Sequence, residues 1–238
     1  MQREVLPYSV EGRALADYFL GVMPEDTQLQ RILRIENRQS WRQFKVYRNE
    51  VYDKFAKDNW HTDGIETYLW HGSDSVDAEA TNGFDIAHAN LDFNMYGAGV
   101  YFASDPRLSH YFIRENRNRP HARCKQILAR VVVGWCATKA PVKSHVPNCW
   151  NKRVNCWNQK CRNLRAEELK KPEHRKAPGE HHSCSSKHST EVIVYKDYHA
   201  YPAYLFEYQC ASLAKFDPYS EQNFQTLRQI NWRISRSQ

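Results

Sequence analysis

Apolar residues recur at helical spacing in two stretches near the start of the chain. Residues 12–23 read as a short amphipathic helix that a following Pro-Glu-Asp stretch ends. From Trp41 onward, aromatic and branched side chains recur mostly every third or fourth residue, with charged residues between them. Ser40 is a good N-cap. The pattern therefore predicts a helix over 41–57, whereas the shorter run 28–35 fits a helix and a strand equally well.

Five later runs are short and rich in β-branched and aromatic residues, which is typical of strands. They do not alternate regularly with helices, so the pattern predicts an α+β fold rather than a doubly wound sheet. Ser104-Asp105-Pro106 predicts the start of another helix, because a cap residue followed by proline is a common N-terminus. The strand-like runs are 66–71, 99–103, 126–133, 191–195 and 204–208.

Length and composition predict one well-packed domain with an unusually aromatic core. The chain has 238 residues, of which 41% are hydrophobic and 13% aromatic. Its formal net charge of +7 favours polyanionic or pyrophosphate-bearing ligands, although an ordinary basic domain has the same balance. No apolar run approaches the roughly 18 residues that span a membrane, and the first ten residues lack a secretory pattern. We therefore expect an intracellular protein, nuclear or cytoplasmic, that does not enter a membrane.

The segment from about 143 to 188 differs from the rest of the chain in composition. Its first part is rich in Lys and Arg, contains three cysteines and has no clear period, so we interpret it as a basic, Cys-rich inserted loop. The chain has seven cysteines, and the odd number without a secretion signal favours reduced thiols. Zinc is the less favoured interpretation, because the cysteine spacings match no common finger and no metal site is assigned. The candidate ligands would be Cys149, Cys156, Cys161, His174, His181, His182 and Cys184.

The same insertion offers a candidate surface for nucleic acid. Trp150 and Trp157 lie among basic residues, and such aromatic side chains can stack on bases while the cations neutralise phosphates. A solvated basic loop with free thiols remains the plainer interpretation.

Two glycine-containing motifs and a late carboxylate accompany the predicted strands. His71-Gly72 closes an apolar run, and a glycine without a Cβ lets another group approach its backbone closely. In the run from Tyr96 to Ala103, two glycines precede a strand, which is also what an ordinary turn or bulge requires. Far downstream, Glu191 begins another apolar strand.

This ordered set resembles the His-Tyr-Glu signature of the poly(ADP-ribose) polymerase family, whose catalytic domain is a diphtheria-toxin-like ADP-ribosyltransferase. The resemblance covers about residues 25–210. It implies a single domain with two small packed β-sheets and flanking helices around an NAD cleft. The residues beyond it, 211–238, include several large apolar side chains, and we expect them to pack as a C-terminal appendage. Further pieces of the resemblance are Arg34-Ile35-Glu36-Asn37 with Trp41, Gly83-Phe84 and Tyr201-Pro202.

The resemblance also implies the roles of particular residues, with NAD⁺ as the substrate. Glu191, His71 and Tyr101 would be catalytic. A carboxylate at Glu191 can stabilise the charge that develops on the ribose when the nicotinamide bond breaks. The second aromatic wall would be Phe112 by counting, or its neighbour Tyr111. The residues implied to bind NAD⁺ are His71, Gly72, Ser73, Tyr101, Phe102, Ala103, Ser109, Tyr111 and Phe112.

Two departures from the family pattern concern residues near the motifs. Ala203 stands where the family's Tyr-Pro-Glu-Tyr has glutamate. Some relatives carry an arginine shortly after the Gly-Phe pair, but here Asp85 follows, and His88 could substitute for that arginine.

The implied reaction is the transfer of ADP-ribose from NAD⁺ to an acceptor, with release of nicotinamide. Protein acceptors are expected first, although a nucleic-acid end would also serve. Glu191 is compatible with polymer formation, and single transfer stays open beside it. A non-catalytic module that binds NAD⁺ or nucleic acid is the alternative of another class.

Overall fold

The computed structural model describes residues 1–59, 62–88, 94–113, 119–138, 175–177, 180–186, 188 and 190–228. Its helices are α1 (Val10–Leu20), α2 (Arg38–Lys57), α3 (Val76–Asn82), α4 (Pro106–His110) and α5 (Glu221–Thr226). Its strands are β1 (Gln2–Glu4), β2 (Gln28–Ile35), β3 (Glu66–His71), β4 (Val100–Ala103), β5 (Cys124–Val132), β6 (Cys136–Thr138), β7 (Ser183–Ser185), β8 (Glu191–Val194) and β9 (Ala200–Gln209).

The strands form one mixed, nine-stranded sheet in the order β1-β2-β9-β5-β3-β4-β8-β7-β6. Neighbours are antiparallel, except that β6 and β7 run parallel. At the centre of this order, the register of β3 and β4 contains a single pair, Trp70 with Ala103. By contrast, β3 pairs along its whole length with β5, and β4 pairs along its whole length with β8. The two expected sheets therefore correspond to two halves of one continuous sheet, which are joined by the single pair between β3 and β4.

Helices α1 and α2 cover the sheet with aromatic side chains. Phe19 of α1 is fully buried, and its ring lies 5.2 Å from Trp70 and 5.1 Å from Phe206. The apolar side of α2 packs on a separate cluster that includes Val132 and Tyr201. The helical period read from the sequence thus corresponds to a buried side in α2, formed by Phe44, Tyr47, Val51 and Phe55.

The first turn of α2 differs from its prediction. The helix begins at Arg38, and the side chain of Asn37 caps it by accepting a 3.0 Å hydrogen bond from the Ser40 amide. Ser40 therefore lies inside the first turn. Asn37 and Ser40 are three residues apart and both have side chains that can cap a helix, and the hydrophobic period does not choose between them.

Strand β9 is longer than the run 204–208 predicted for it, because it begins at Ala200 and includes Pro202. The pairing of β9 with β5 shifts register between Leu128 and Ala129, next to this proline. A proline lacks the N–H that a regular ladder needs, and an irregularity of this kind accommodates it. The other ambiguous run, 28–35, is strand β2.

The predicted insertion, residues 143–188, follows β6 and includes the whole of β7. Strand β7 falls within the range 143–188 and is buried against β8, so its Ser-Cys-Ser run is part of the sheet rather than of a surface loop. The nucleic-acid candidates Trp150 and Trp157 lie outside the described residues, as do four of the seven candidate zinc ligands, Cys149, Cys156, Cys161 and His174.

Candidate active site

A cavity of about 510 Å³ opens beside the end of β3, between β4, α3 and α4. Its volume is within the usual range for a small-molecule site. Tyr111 is the one predicted site residue that does not line this cavity; its ring packs edge-on against Tyr219, at 5.6 Å. The predicted residues that line it are His71, Gly72, Ser73, Tyr101, Phe102, Ala103, Ser109, Phe112 and Glu191.

His71 is held at both ring nitrogens by oxygen acceptors. Its Nδ1 lies 2.7 Å from the carbonyl oxygen of Tyr101, and its Nε2 lies 3.2 Å from Oε2 of Glu79. Burial lowers the pKa of His71, but the charge of Glu79 and the hydrogen bonds outweigh it, so the pKa is raised above its ordinary value. Because neither neighbour can donate a proton to the ring, this environment favours an imidazolium that carries both protons.

Glu79 is a lining residue that the sequence reasoning did not identify. It lies on α3, and its Oε2 also accepts a 2.7 Å hydrogen bond from the Ser73 hydroxyl. Burial raises the pKa of Glu79, but the charge of His71 and the polar contacts with His71 and Ser73 outweigh burial. The pKa of Glu79 therefore lies below its ordinary value. Asp77 is a second acid on the same short helix, and it pairs instead with Lys125 at 2.8 Å. The available signal was therefore a pair of acids soon after His71, without a way to tell which one faces the cleft.

Gly72 permits a close approach of two elements of the chain. A Cβ built at this position would lie 2.1 Å from the carbonyl oxygen of Ser109, a distance that no side chain tolerates. The glycine therefore lets the end of α4 pack directly on the end of β3. That contact places Ser109, which is 3% exposed, against the cavity.

Tyr101 is fixed by its hydroxyl, which reaches back into the glycine-containing turn. The hydroxyl donates to the carbonyl of Gly97 at 2.9 Å and accepts from the amide of Tyr96 at 2.8 Å. Gly97 has a φ of +132°, a conformation that favours glycine. The half-buried ring of Tyr101 is consequently a rigid part of the cavity lining.

The end of α4 supplies the next wall. Asp105 caps this helix by accepting from the Arg107 amide, and Pro106 occupies its first turn, as predicted. The helix ends at His110, so Tyr111 and Phe112 lie in the turn that follows it rather than on the helix. Of these two aromatic residues, Phe112 lines the cavity.

Glu191 begins β8 and pairs with Ala103 of β4. It is only 6% exposed. Burial raises the pKa of its carboxyl to about 7, and a hydrogen bond from Tyr219 opposes the shift. The Tyr219 hydroxyl lies 3.5 Å from Oε1 of Glu191. A carboxyl that titrates near neutrality can both accept and return a proton under ordinary conditions, which suits acid–base chemistry.

Residues 13–210, well over half of the chain, match the family model of the poly(ADP-ribose) polymerase catalytic domain. The α+β fold and the cleft are consistent with an ADP-ribosyltransferase, and this chain belongs to the poly(ADP-ribose) polymerase catalytic domain family. The family uses NAD⁺ as its substrate. The fold and family predicted from the motifs are thereby confirmed.

Two individual relatives are similar in sequence to this chain. A probable poly [ADP-ribose] polymerase of Dictyostelium discoideum is 31% identical over 131 residues, which are 53% of this chain and 37% of the relative. The protein mono-ADP-ribosyltransferase PARP12 of Mus musculus is 24% identical over 213 residues, which are 89% of this chain and 24% of the relative. The matched segments thus cover 37% of the length of the first relative and 24% of the length of the second.

Within the part of the chain that the structure describes, no three His, Cys, Asp or Glu side chains are grouped to hold a metal ion. Four of the seven candidate zinc ligands lie outside that part. The side chain of His88, the candidate substitute for the missing arginine, also lies outside it. None of the described helices is long and apolar enough to span a membrane.

Proposed function

We propose that this chain cleaves NAD⁺ and transfers its ADP-ribose unit to a protein acceptor. The observation that carries the proposal is that a buried carboxyl, Glu191, shares one cavity with His71 and Tyr101. Membership of the family supports the same reaction. The alternative of a non-catalytic binding module gains no specific support from this arrangement, because such a module has no need of a buried carboxyl that titrates near neutrality.

The substrate would enter with its nicotinamide between two aromatic walls. Tyr101 and Phe112 line the cavity and would enclose the flat ring. The Ser109 hydroxyl and the backbone of Gly72 would bind the nicotinamide amide. Nε2 of His71, which lies 3.2 Å from Glu79 without a well-formed hydrogen bond to it, would donate to a ribose hydroxyl. Each of these groups acts by position, so the substrate is bound with the bond to be broken close to Glu191.

Glu191 would act on the ribose and on the acceptor. As the bond between nicotinamide nitrogen and ribose carbon breaks, the ionised carboxylate stabilises the positive charge that develops on the sugar. A nucleophilic atom of the acceptor then forms the new bond to that carbon. Its proton passes to Glu191, whose pKa near 7 allows it to accept the proton and release it to solvent.

Protein acceptors have specific support, whereas polymer formation and single transfer are both compatible with the site. The family modifies protein acceptors generally, and both relatives are named for ADP-ribosyl transfer. One relative is named as a polymerase and the other as a mono-transferase, so the names do not select a product. Glu191 itself is compatible with chain extension and with single transfer.

The test is incubation of the purified chain with labelled NAD⁺ and a panel of protein acceptors, beside Glu191→Gln. Loss of the carboxylate should lower nicotinamide release by at least about 100-fold. On a denaturing gel, a ladder would identify a polymerase and a discrete band a mono-transferase. Wild-type protein that releases no nicotinamide and labels no acceptor would refute the proposal. Glu50→Gln is a matched control, because Glu50 is exposed on α2.

A further inference from the structure

The segment that follows β9 returns to the candidate active site, although it lies beyond the residues that match the family. It is anchored on the corner between β4 and α4. Asp105, which is completely buried, accepts from the Arg228 amide at 3.1 Å and pairs with Arg107 at 2.7 Å. Arg107 in turn donates to the carbonyl of Thr226 at 2.9 Å, and the Ser104 hydroxyl donates to the carbonyl of Arg228.

Apolar contacts complete this docking. Leu227 is 5% exposed and packs in a cluster with Ala103 and Leu108, two residues that line the cavity. Phe224 packs edge-on against His188, with ring centroids 4.7 Å apart. The segment is therefore held on two sides of Glu191, by the corner that follows β4 and by a residue that precedes β8.

Tyr219 is the point at which this segment meets the reacting group. It lines the cavity, its ring contacts Tyr111 edge-on, and its hydroxyl lies 3.5 Å from Oε1 of Glu191. Its backbone is fixed by a 3.0 Å hydrogen bond from its own amide to the carboxylate of Asp217. Among the described residues, Tyr219 is the hydrogen-bonding side chain that contacts the Glu191 carboxylate.

We propose that Tyr219 is a positioning residue for Glu191, and that the segment 211–228 is part of the active site rather than an appendage. The proposal rests on the proposed function, since it assigns Tyr219 a role in that reaction. The Tyr219 hydroxyl donates to the carboxylate, fixes its orientation and stabilises its ionised form. The segment at the same time keeps water from Glu191.

The hydrogen bond from Tyr219 and the exclusion of water shift the pKa of Glu191 in opposite directions. Exclusion of water raises the pKa of the carboxyl, whereas the hydrogen bond from Tyr219 lowers it. In the described part of the chain, the other titratable groups that act electrostatically with Glu191 are Tyr96, in the glycine-containing turn, and Tyr101 on β4. Burial, with the charge of Glu191 in addition, raises the pKa values of both phenols, so they remain neutral between pH 5 and 9. The titration of Glu191 therefore reports the contribution of the segment directly.

The experiment is a ¹³C NMR titration of glutamate carboxyls in the full chain, with Glu191→Gln to assign the Glu191 signal. In Tyr219→Phe the burial is kept and the hydrogen bond is lost, so the Glu191 midpoint should shift to higher pH. In Leu227→Asp the segment undocks and water reaches the carboxyl, so the midpoint should shift to lower pH. Tyr8→Phe removes a hydroxyl from a side chain that is 89% exposed, and it should leave the midpoint unchanged.

A kinetic measurement connects the titration to the reaction. The pH dependence of kcat/KM for nicotinamide release should move with the Glu191 midpoint, so Tyr219→Phe should lose about threefold in rate at pH 6 and recover at pH 8.5. A purely structural role for Tyr219 would lower the rate equally at both pH values. A Glu191 midpoint that is the same in wild type and Tyr219→Phe would overturn the proposal, as would an unchanged midpoint in Leu227→Asp if Tyr219→Phe does not fold. Shifted midpoints without nicotinamide release in wild type would instead refute the proposed function.

Discussion

Nε2 of His71 lies 3.2 Å from Oε2 of Glu79, so the histidine of the motif is half of a buried ion pair. The two side chains are 10% and 20% exposed, which limits screening by solvent. The raised pKa of His71 and the lowered pKa of Glu79 agree on this pairing. The candidate active site thus contains, on one side, a histidine whose charged form is favoured and, on the other, a carboxyl whose pKa is raised to about 7.

The first prediction concerns this ion pair. Glu79→Gln should lower the pKa of His71, measured by NMR of its ring protons, and should destabilise the protein by about 1–2 kcal/mol. Asp77→Asn, on the same helix, is the matched control and should leave the His71 titration unchanged. An unaltered His71 pKa in Glu79→Gln would contradict the ion pair.

The pH dependence of that destabilisation is also fixed. The raised pKa of His71 contributes stability that is present below its ordinary value of 6.5 and lost as pH rises through the folded-state pKa. The lowered pKa of Glu79 contributes stability that is present above its ordinary value of 4.5 and lost as pH falls through the folded-state pKa. Chemical denaturation should therefore show a larger loss for Glu79→Gln at pH 5.5 than at pH 9.

The second prediction is that Glu191→Gln stabilises the fold at alkaline pH. The pKa of Glu191 is raised from 4.5 to about 7, so the folded protein resists an ionisation that the unfolded chain undergoes freely. This cost is absent below pH 4.5 and is fully present above pH 7. At pH 8.5 the variant should be more stable than wild type by up to about 3 kcal/mol, and at pH 4 the two should agree. If the gain were equal at both pH values, ionisation of Glu191 would not be its cause.

The third prediction separates Phe112 from Tyr111. Because Phe112 lines the cavity, Phe112→Leu should weaken the binding of nicotinamide by about tenfold, measured by calorimetry. Tyr111→Leu removes a ring that packs on Tyr219 and does not line the cavity, so this variant should bind nicotinamide as wild type does. The reverse pattern would assign the second aromatic wall to Tyr111.

The fourth prediction concerns Gly72. In Gly72→Ala the new methyl group would collide with the Ser109 carbonyl, so we expect a loss of about 2–4 kcal/mol and weaker nicotinamide binding. Gly64→Ala is the comparison, because Gly64 has a φ of +82° but open space around it. Its cost should be limited to about 1 kcal/mol of backbone strain, with nicotinamide binding intact. Equal losses in the two variants, measured by denaturation, would show that the contact with Ser109 contributes little.

The sequence was informative wherever local chemistry decides the structure. The period of α2 and the alternation of the central strands depend on residues that are close in sequence, and the motif residues His71, Tyr101 and Glu191 occupy strands that were predicted. Their placement in one cleft then follows from antiparallel pairing, because Ala103 pairs both with Trp70 and with Glu191. The family resemblance carried the assignment of these residues to one site.

The contacts that escaped prediction depend on packing between distant parts of the chain. Glu79 and Asp77 lie on the same short helix, and the tertiary structure decides which of the two side chains faces the cavity. Tyr219 follows Glu191 by 28 residues, in a segment without a recognisable motif. Strand β7 was assigned to a surface loop, because three small residues give no period until β8 lies beside them.

The single pair that joins β3 to β4 affects how this site can change in evolution. The cavity opens beside the end of β3, where β3 and β4 diverge, and it is lined by side chains from α3, α4, β4 and β8. Substitutions at the lining positions can alter what is bound or made without altering the frame around them. The segment after β9 adds a contact to the Glu191 carboxyl, so substitutions outside the sheet can also change the surroundings of that carboxyl.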